Sequence, residues 1–150
     1  MRAMPRYFTL DEARASLPLV GRSIREAVHS RSRYKEAERA IQHLTQRIMM
    51  LGGVSVDTAA AEAWKNQYDS NGQSLKNAME RIEEIGVIVK DLDVGLVDFP
   101  TLFRGEEVYL CWRMDERDID HWHGVNEGFS GRKAIDRNFV ENHRGDGIST

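Results

Sequence analysis

The 150-residue chain has room for one domain with a real core and hardly for two. Its 21 Lys and Arg against 24 Asp and Glu give a formal net charge of −3, so the balance calls for neither a nucleic-acid nor an acidic-membrane partner. No apolar run approaches the roughly 18 residues needed to cross a bilayer, residues 1–6 lack an apolar signal core, and the single Cys111 excludes an intrachain disulfide.

A cytoplasmic protein is therefore expected. The charge is nevertheless uneven: residues 1–51 hold ten Lys/Arg against five Asp/Glu, and residues 86–131 hold four against ten. The two parts either attract each other, within or between chains, or are solvated surfaces of opposite sign.

Thr9 and Glu12 stand at capping-box spacing, which predicts a short helix over 10–16. Pro18 suits a first helical turn, so a second, long helix is predicted over 18–51. Val20, Ile24, Ala27, Tyr34, Ala37, Ile41, Leu44, Ile48 and Leu51 recur in steps of mostly three and four, one buried face. Gly52-Gly53 closes it. Ser55 or Asp57 then caps a helix over 57–85 with the stripe Ala60, Trp64, Tyr68, Leu75, Met79, Ile82 and Ile85, ended by Gly86. Four poor helix formers in a row, Asp69-Ser70-Asn71-Gly72, predict a kink or fraying. The short link makes the two long helices antiparallel neighbours. A lone hairpin of that length leaves apolar stripe uncovered. Either two hairpins pair into a four-helix bundle, a homodimer, or the C-terminal tail folds back along a monomer.

From Val87 the pattern changes to alternation. Val87-Ile88-Val89 reads as a strand, and so does Leu96-Val97 through Phe99. In a third strand Val108, Leu110 and Trp112 take one face, and Tyr109, Cys111 and Arg113 the other. Arg104-Gly105-Glu106 is the turn between the last two, and Pro100 marks an edge strand or a strand end. Residues 119–123 add a short fourth strand, and the polar residues 136–150 are predicted to form a mobile tail. The expected architecture is α+β: one domain over 1–135, with a long antiparallel helical hairpin (10–85) followed by a small antiparallel β-sheet module (86–135).

Several stretches carry a family resemblance. They are Tyr7-Phe8-Thr9-Leu10-Asp11-Glu12-Ala13, Gly86-Val87, Lys90-Asp91-Leu92-Asp93 and Gly95-Leu96-Val97-Asp98-Phe99-Pro100. Further on come Glu107-Val108-Tyr109-Leu110-Cys111-Trp112-Arg113, Trp122-His123 and Gly128-Phe129-Ser130-Gly131-Arg132. Over residues 6–132 the chain resembles the bacterial family catalogued as domain of unknown function 2203. The resemblance implies a small soluble prokaryotic protein and brings no activity with it. It directs attention to the polar and aromatic block over 91–132.

That block offers three chemistries. Cys111, His121, His123 and Glu127, with Asp98 as a further carboxylate, are ligand types for a divalent metal such as zinc or iron. Residues two apart on a strand face the same way, so His121 and His123 can share an ion. The alternative makes Cys111 a small buried hydrophobe and the histidines hydrogen-bonded or surface residues. Alternatively, Asp98, Arg113, Trp122, His123 and Arg132 line a small-ligand pocket, with arginine forks for an anion and Gly124, Gly128 and Gly131 admitting it to the backbone. In the architectural version Arg113 pairs with Asp98, Asp91 or Glu127. The third chemistry is catalysis by His123 with Cys111 or Asp98, with Glu127 as a further proton carrier. The function read from these residues is a small-ligand or metal-binding module with a dimerising hairpin. Its alternatives are a coiled-coil adaptor without a small-molecule site, or an enzyme.

Overall fold

The computed structural model describes residues 6–52 and 57–146, so the parts of the expectations that rest on Gly53 and Ser55 lie outside the described residues. Two long helices come first, α1 (Leu10–Met50) and α2 (Thr58–Ile85). Among the described residues six short strands follow: β1 (Ile88–Asp91), β2 (Leu96–Phe103), β3 (Glu106–Arg113), β4 (His121–Gly124), β5 (Lys133–Ala134) and β6 (His143–Arg144). A third helix, α3 (Arg137–Asn142), precedes β6. The architecture is α+β, a pair of long helices followed by a small antiparallel sheet. Among the described residues no helix is long and apolar enough to cross a membrane.

The capping box forms as the spacing requires. Thr9 N donates to Glu12 Oε1 at 2.9 Å, and Glu12 N donates to Thr9 Oγ1 at 3.0 Å. The predicted break at Pro18 does not occur, and α1 runs through it. An interior proline costs a helix about 3 kcal/mol. Leu10 and Ala13 before it and Val20 and Ile24 after it are all buried in one core. At about 1.5–3 kcal/mol per large buried side chain, that shared burial outweighs one lost backbone bond. At the other end of the pair, Val87 N bonds Ile82 O and Gly86 N bonds Glu83 O, with Gly86 at φ +98°. This is a Schellman cap, and it turns the chain from α2 into β1.

Contacts divide the chain into two compact units, residues 26–78 and the remainder. In the first unit α1 and α2 pair antiparallel. Tyr34 stacks on Tyr68 with centroids 4.3 Å apart, and their hydroxyls lie 2.6 Å from each other. Of the kink or fraying predicted at 69–72, the fraying does not occur, because α2 is continuous there. A Cβ on Gly72 would lie 3.0 Å from the Tyr34 ring, so the glycine makes room for that ring and its cost to the helix is offset by the stacking. At the start of α2, Asp57 Oδ1 accepts from Ala60 N at 3.1 Å, the cap expected of it.

The second unit holds the sheet, in the order β1-β2-β3-β4-β5, with β6 also paired to β2 and every pairing antiparallel. One edge of β2 is shared, β1 covering its first half and β6 its end. Pro100 sits between them, where Phe8 N donates to its carbonyl at 2.7 Å. Since N and C=O of one strand residue point the same way, the missing Pro100 N–H would have faced that gap and not β3. Pro100 is thus neither on an outer strand nor at a strand end, yet its position costs the ladder nothing. Arg104 and Gly105 turn β2 into β3 with φ of +52° and +83°.

Residues 137–144 correct the expected polar tail. Asp136 Oδ1 caps α3 by accepting from Phe139 N at 2.8 Å, and Phe139 is 1% exposed. Its ring packs on Phe103, Trp122 and His143 at centroid distances of 5.0, 4.9 and 5.2 Å. Val97, Phe99, Leu110 and Trp112 carry the same core across the sheet to Phe8, Val20, Ile24 and Ile82. Strand alternation then sends Asp98, Tyr109, Cys111, His121 and His123 to the opposite face.

Candidate metal centre

The register of three neighbouring strands builds this site. Asp98 on β2 lies opposite Cys111 on β3, Cys111 lies opposite His121 on β4, and Tyr109 lies opposite His123. Asp98, Cys111 and His123 each bring one ligating atom within 4.8 Å of the others. They are exposed by only 1%, 1% and 5%.

Two bonds orient the histidine. Its Nδ1 lies 2.8 Å from the Gly124 carbonyl, which can only accept, so Nδ1 carries a hydrogen. Its Nε2 lies 3.0 Å from Asp98 Oδ1, and that contact holds one proton between the two residues. The second carboxylate oxygen, Asp98 Oδ2, is buried and makes no hydrogen bond of ordinary geometry among the described residues. Burial pushes the Asp98 carboxyl above its ordinary range; the bond to His123, the charges of His123 and Lys90 and the nearby Cys111 thiol offset this only in part. Burial likewise pushes the Cys111 thiol up to about 11, against the pull of the Arg132 guanidinium.

Arg132 borders the cluster. Its Nη1 lies 3.9 Å from Cys111 Sγ, and its two terminal nitrogens fork onto Glu116 at 3.0 and 2.9 Å. Its guanidinium lies 4.2 Å from the centre of the Phe129 ring. Burial alone would raise the Glu116 carboxyl, but the Arg132 fork and the Arg113 backbone N–H outweigh it and hold Glu116 below its ordinary value. Glu116 has no signal in the sequence, since nothing local tells it from its acidic neighbours in the same turn.

The other candidate residues lie elsewhere. His121 Nδ1 stands 3.8 Å from Glu116 Oε2, outside the group of three. Glu127 accepts from Gly124 N at 2.8 Å and from Lys133 Nζ. Arg113 binds Asp115 through Nε at 2.6 Å, and not Asp98, Asp91 or Glu127; its guanidinium lies 5.1 Å from the Phe129 centroid. Trp122 faces the core, 5.1 Å from Phe103, with Lys133 Nζ 4.8 Å from its ring. Of the pocket residues, then, the fold joins Asp98 with His123, reaches Arg132 through Cys111, and sets Trp122 on the other side of the sheet.

A family model described as an uncharacterized conserved protein, domain of unknown function 2203, matches residues 6–135. The chain belongs to this family. The matched region of the family member runs from the capping box through β5 and contains Asp98, Cys111 and His123, while α3 and β6 follow it. No curated protein and no solved structure matches the chain.

Proposed function

We propose that this protein is a metal-binding module, with Asp98, Cys111 and His123 holding one divalent ion, zinc being the best fit. The observation that carries this is the buried Asp98 Oδ2, which makes no hydrogen bond of ordinary geometry among the described residues, beside a thiol and an imidazole. Imidazole, thiolate and carboxylate bind zinc at about 2.0–2.3 Å, and the three ligating atoms lie within 4.8 Å of one another. The Nδ1 hydrogen bond to Gly124 O makes Nε2 the ligating nitrogen, and a bound cation would release the proton that Nε2 shares with Asp98. Three protein ligands leave a fourth position for water or a small molecule. The same chemistry argues against a Cys111–His123 nucleophile without metal, since burial keeps the thiol protonated at neutral pH. A cation is what would make the thiolate.

Elemental analysis by mass spectrometry of the untagged protein tests this. About one zinc per chain is expected, with loss of most of it in C111S and in H123A. A parent that is metal-free as purified and takes up neither zinc nor cobalt in titration would retire the reading.

A second reading concerns the hairpin unit. Ile41, Leu44, Ile48, Ala61 and Tyr68 line a cleft of about 650 Å³, and Met49, Met50 and Leu51 are exposed. Glu38, Asp69 and Lys65 bring both signs of charge to its rim, the self-complementarity that a second copy of this chain needs. We infer homodimerisation through this face. Light scattering after gel filtration is expected to give a dimer mass for the parent and a monomer mass for the I41E/I48E variant. A monomeric parent at every concentration would exclude it.

A further inference from the structure

On the sheet-bearing unit, a groove of about 500 Å³ lies between α1 and the chain leaving β3. Leu17, Pro18, Trp112 and Met114 are its apolar walls. Gly21 is its floor, a buried glycine inside a helix, where glycine is disfavoured against alanine. A Cβ there would lie 3.2 and 3.3 Å from the Arg25 guanidinium nitrogens and 3.5 Å from the Trp112 ring. The first two are tighter than ordinary packing and the third is ordinary contact, so the glycine lets the Arg25 guanidinium lie close to the helix backbone beside the Trp112 ring. The Trp112 indole N–H is already bonded to Glu116 O at 3.1 Å, so the ring offers the groove an apolar edge.

The charges at the groove do not cancel. Asp118 is engaged by Arg14, whose Nε lies 3.2 Å away and whose Nη2 bonds Ile119 O. Glu116 is engaged by Arg132. Arg25 and Arg117 are exposed and make no hydrogen bond or ion pair among the described residues. Two arginines, one on α1 and one on the chain leaving β3, each with a full guanidinium fork to give, thus line the groove beside its apolar surface.

We propose that this groove binds a small amphipathic oxyanion, a compact aromatic or branched apolar body bearing a carboxylate or phosphate. The body rests on Trp112, Pro18 and Leu17, and the oxyanion takes the forks of Arg25 and Arg117. The site shares no ligand with the proposed metal centre, so it stands or falls independently of that reading.

Phenyl phosphate titrated into the full chain, followed by the Trp112 indole N–H resonance, tests the proposal. A saturable shift is expected, with affinity at least about tenfold weaker in R25A/R117A and only partly recovered in R25K/R117K, which restores the charge without the fork. Because both arginines are exposed and unpaired, the alanine variant is expected to keep the parent's melting temperature, which separates lost binding from lost fold. Weaker binding of inorganic phosphate and of benzyl alcohol than of phenyl phosphate would support the two-part site. Absence of a saturable shift, equal affinity in R25A/R117A, or equal binding of either partial probe would overturn it.

Discussion

Truncating Phe139 to alanine should destabilise the sheet-bearing unit by about 3–5 kcal/mol, the usual cost of deleting a fully buried aromatic ring. The residue is 1% exposed and its ring meets Phe103, Trp122 and His143 together. The cavity it leaves would lie under the edge of β2 where β6 pairs, so β6 should loosen as well. At about 2–4 °C per kcal/mol for a chain of this size, the melting temperature should fall by roughly 6–20 °C. The neighbouring Val140 is 46% exposed, and V140A should change stability by about 0.5 kcal/mol or less. Thermal unfolding followed by circular dichroism checks both. Equal midpoints for the two variants would mean that α3 does not contribute to the core.

Phe139 also marks the limit of reading this fold from its sequence. Patterns confined to a few residues were legible: the Thr9–Glu12 box, the Gly86 stop, the Arg104-Gly105 turn and the alternation of β3. Readings that depended on a distant partner were not. Pro18 looks like a helix start until Leu10 and Ala13 before it are seen in one core with Val20 and Ile24 after it, and Gly72 looks like a weak point until Tyr34 is seen beside it. One phenylalanine among polar residues reads as tail, because local composition cannot say that Phe103 and Trp122 leave a place for it. The site divides in the same way. Cys111 and His123 were legible as ligand types, whereas the nearness of Asp98 depends on strand register, a long-range property. Trp122 was within reach, since the alternation that puts His121 and His123 on one face sends the residue between them to the other.

The His123→Ala variant should be the most damaging single change at the site. His123 Nε2 is the one hydrogen-bond partner of good geometry that the buried Asp98 carboxyl has among the described residues, so its loss leaves the carboxyl with only the weak donor of the nearby Cys111 thiol. Breaking a buried pair from one side costs about 3–5 kcal/mol, mostly the desolvation of the charge left behind. Removing the charge as well should return part of that loss, so D98N/H123A should be more stable than H123A alone, and the cycle closed with D98N gives the coupling directly. Urea unfolding in the presence of a chelator measures this apart from any bound ion. Repeating it with excess zinc separates the two roles of the residue. A ligand that binds only the folded state stabilises it by RT ln(1 + [L]/Kd), so zinc should raise the parent's midpoint and leave that of H123A unmoved. If H123A unfolds at the parent's midpoint in chelator, water or another side chain must reach Asp98, and its carboxyl is not the unsatisfied group on which the metal reading rests. If instead the chelator experiment behaves as expected and zinc moves neither protein, the three residues form a buried polar network that holds β2, β3 and β4 in register without an ion.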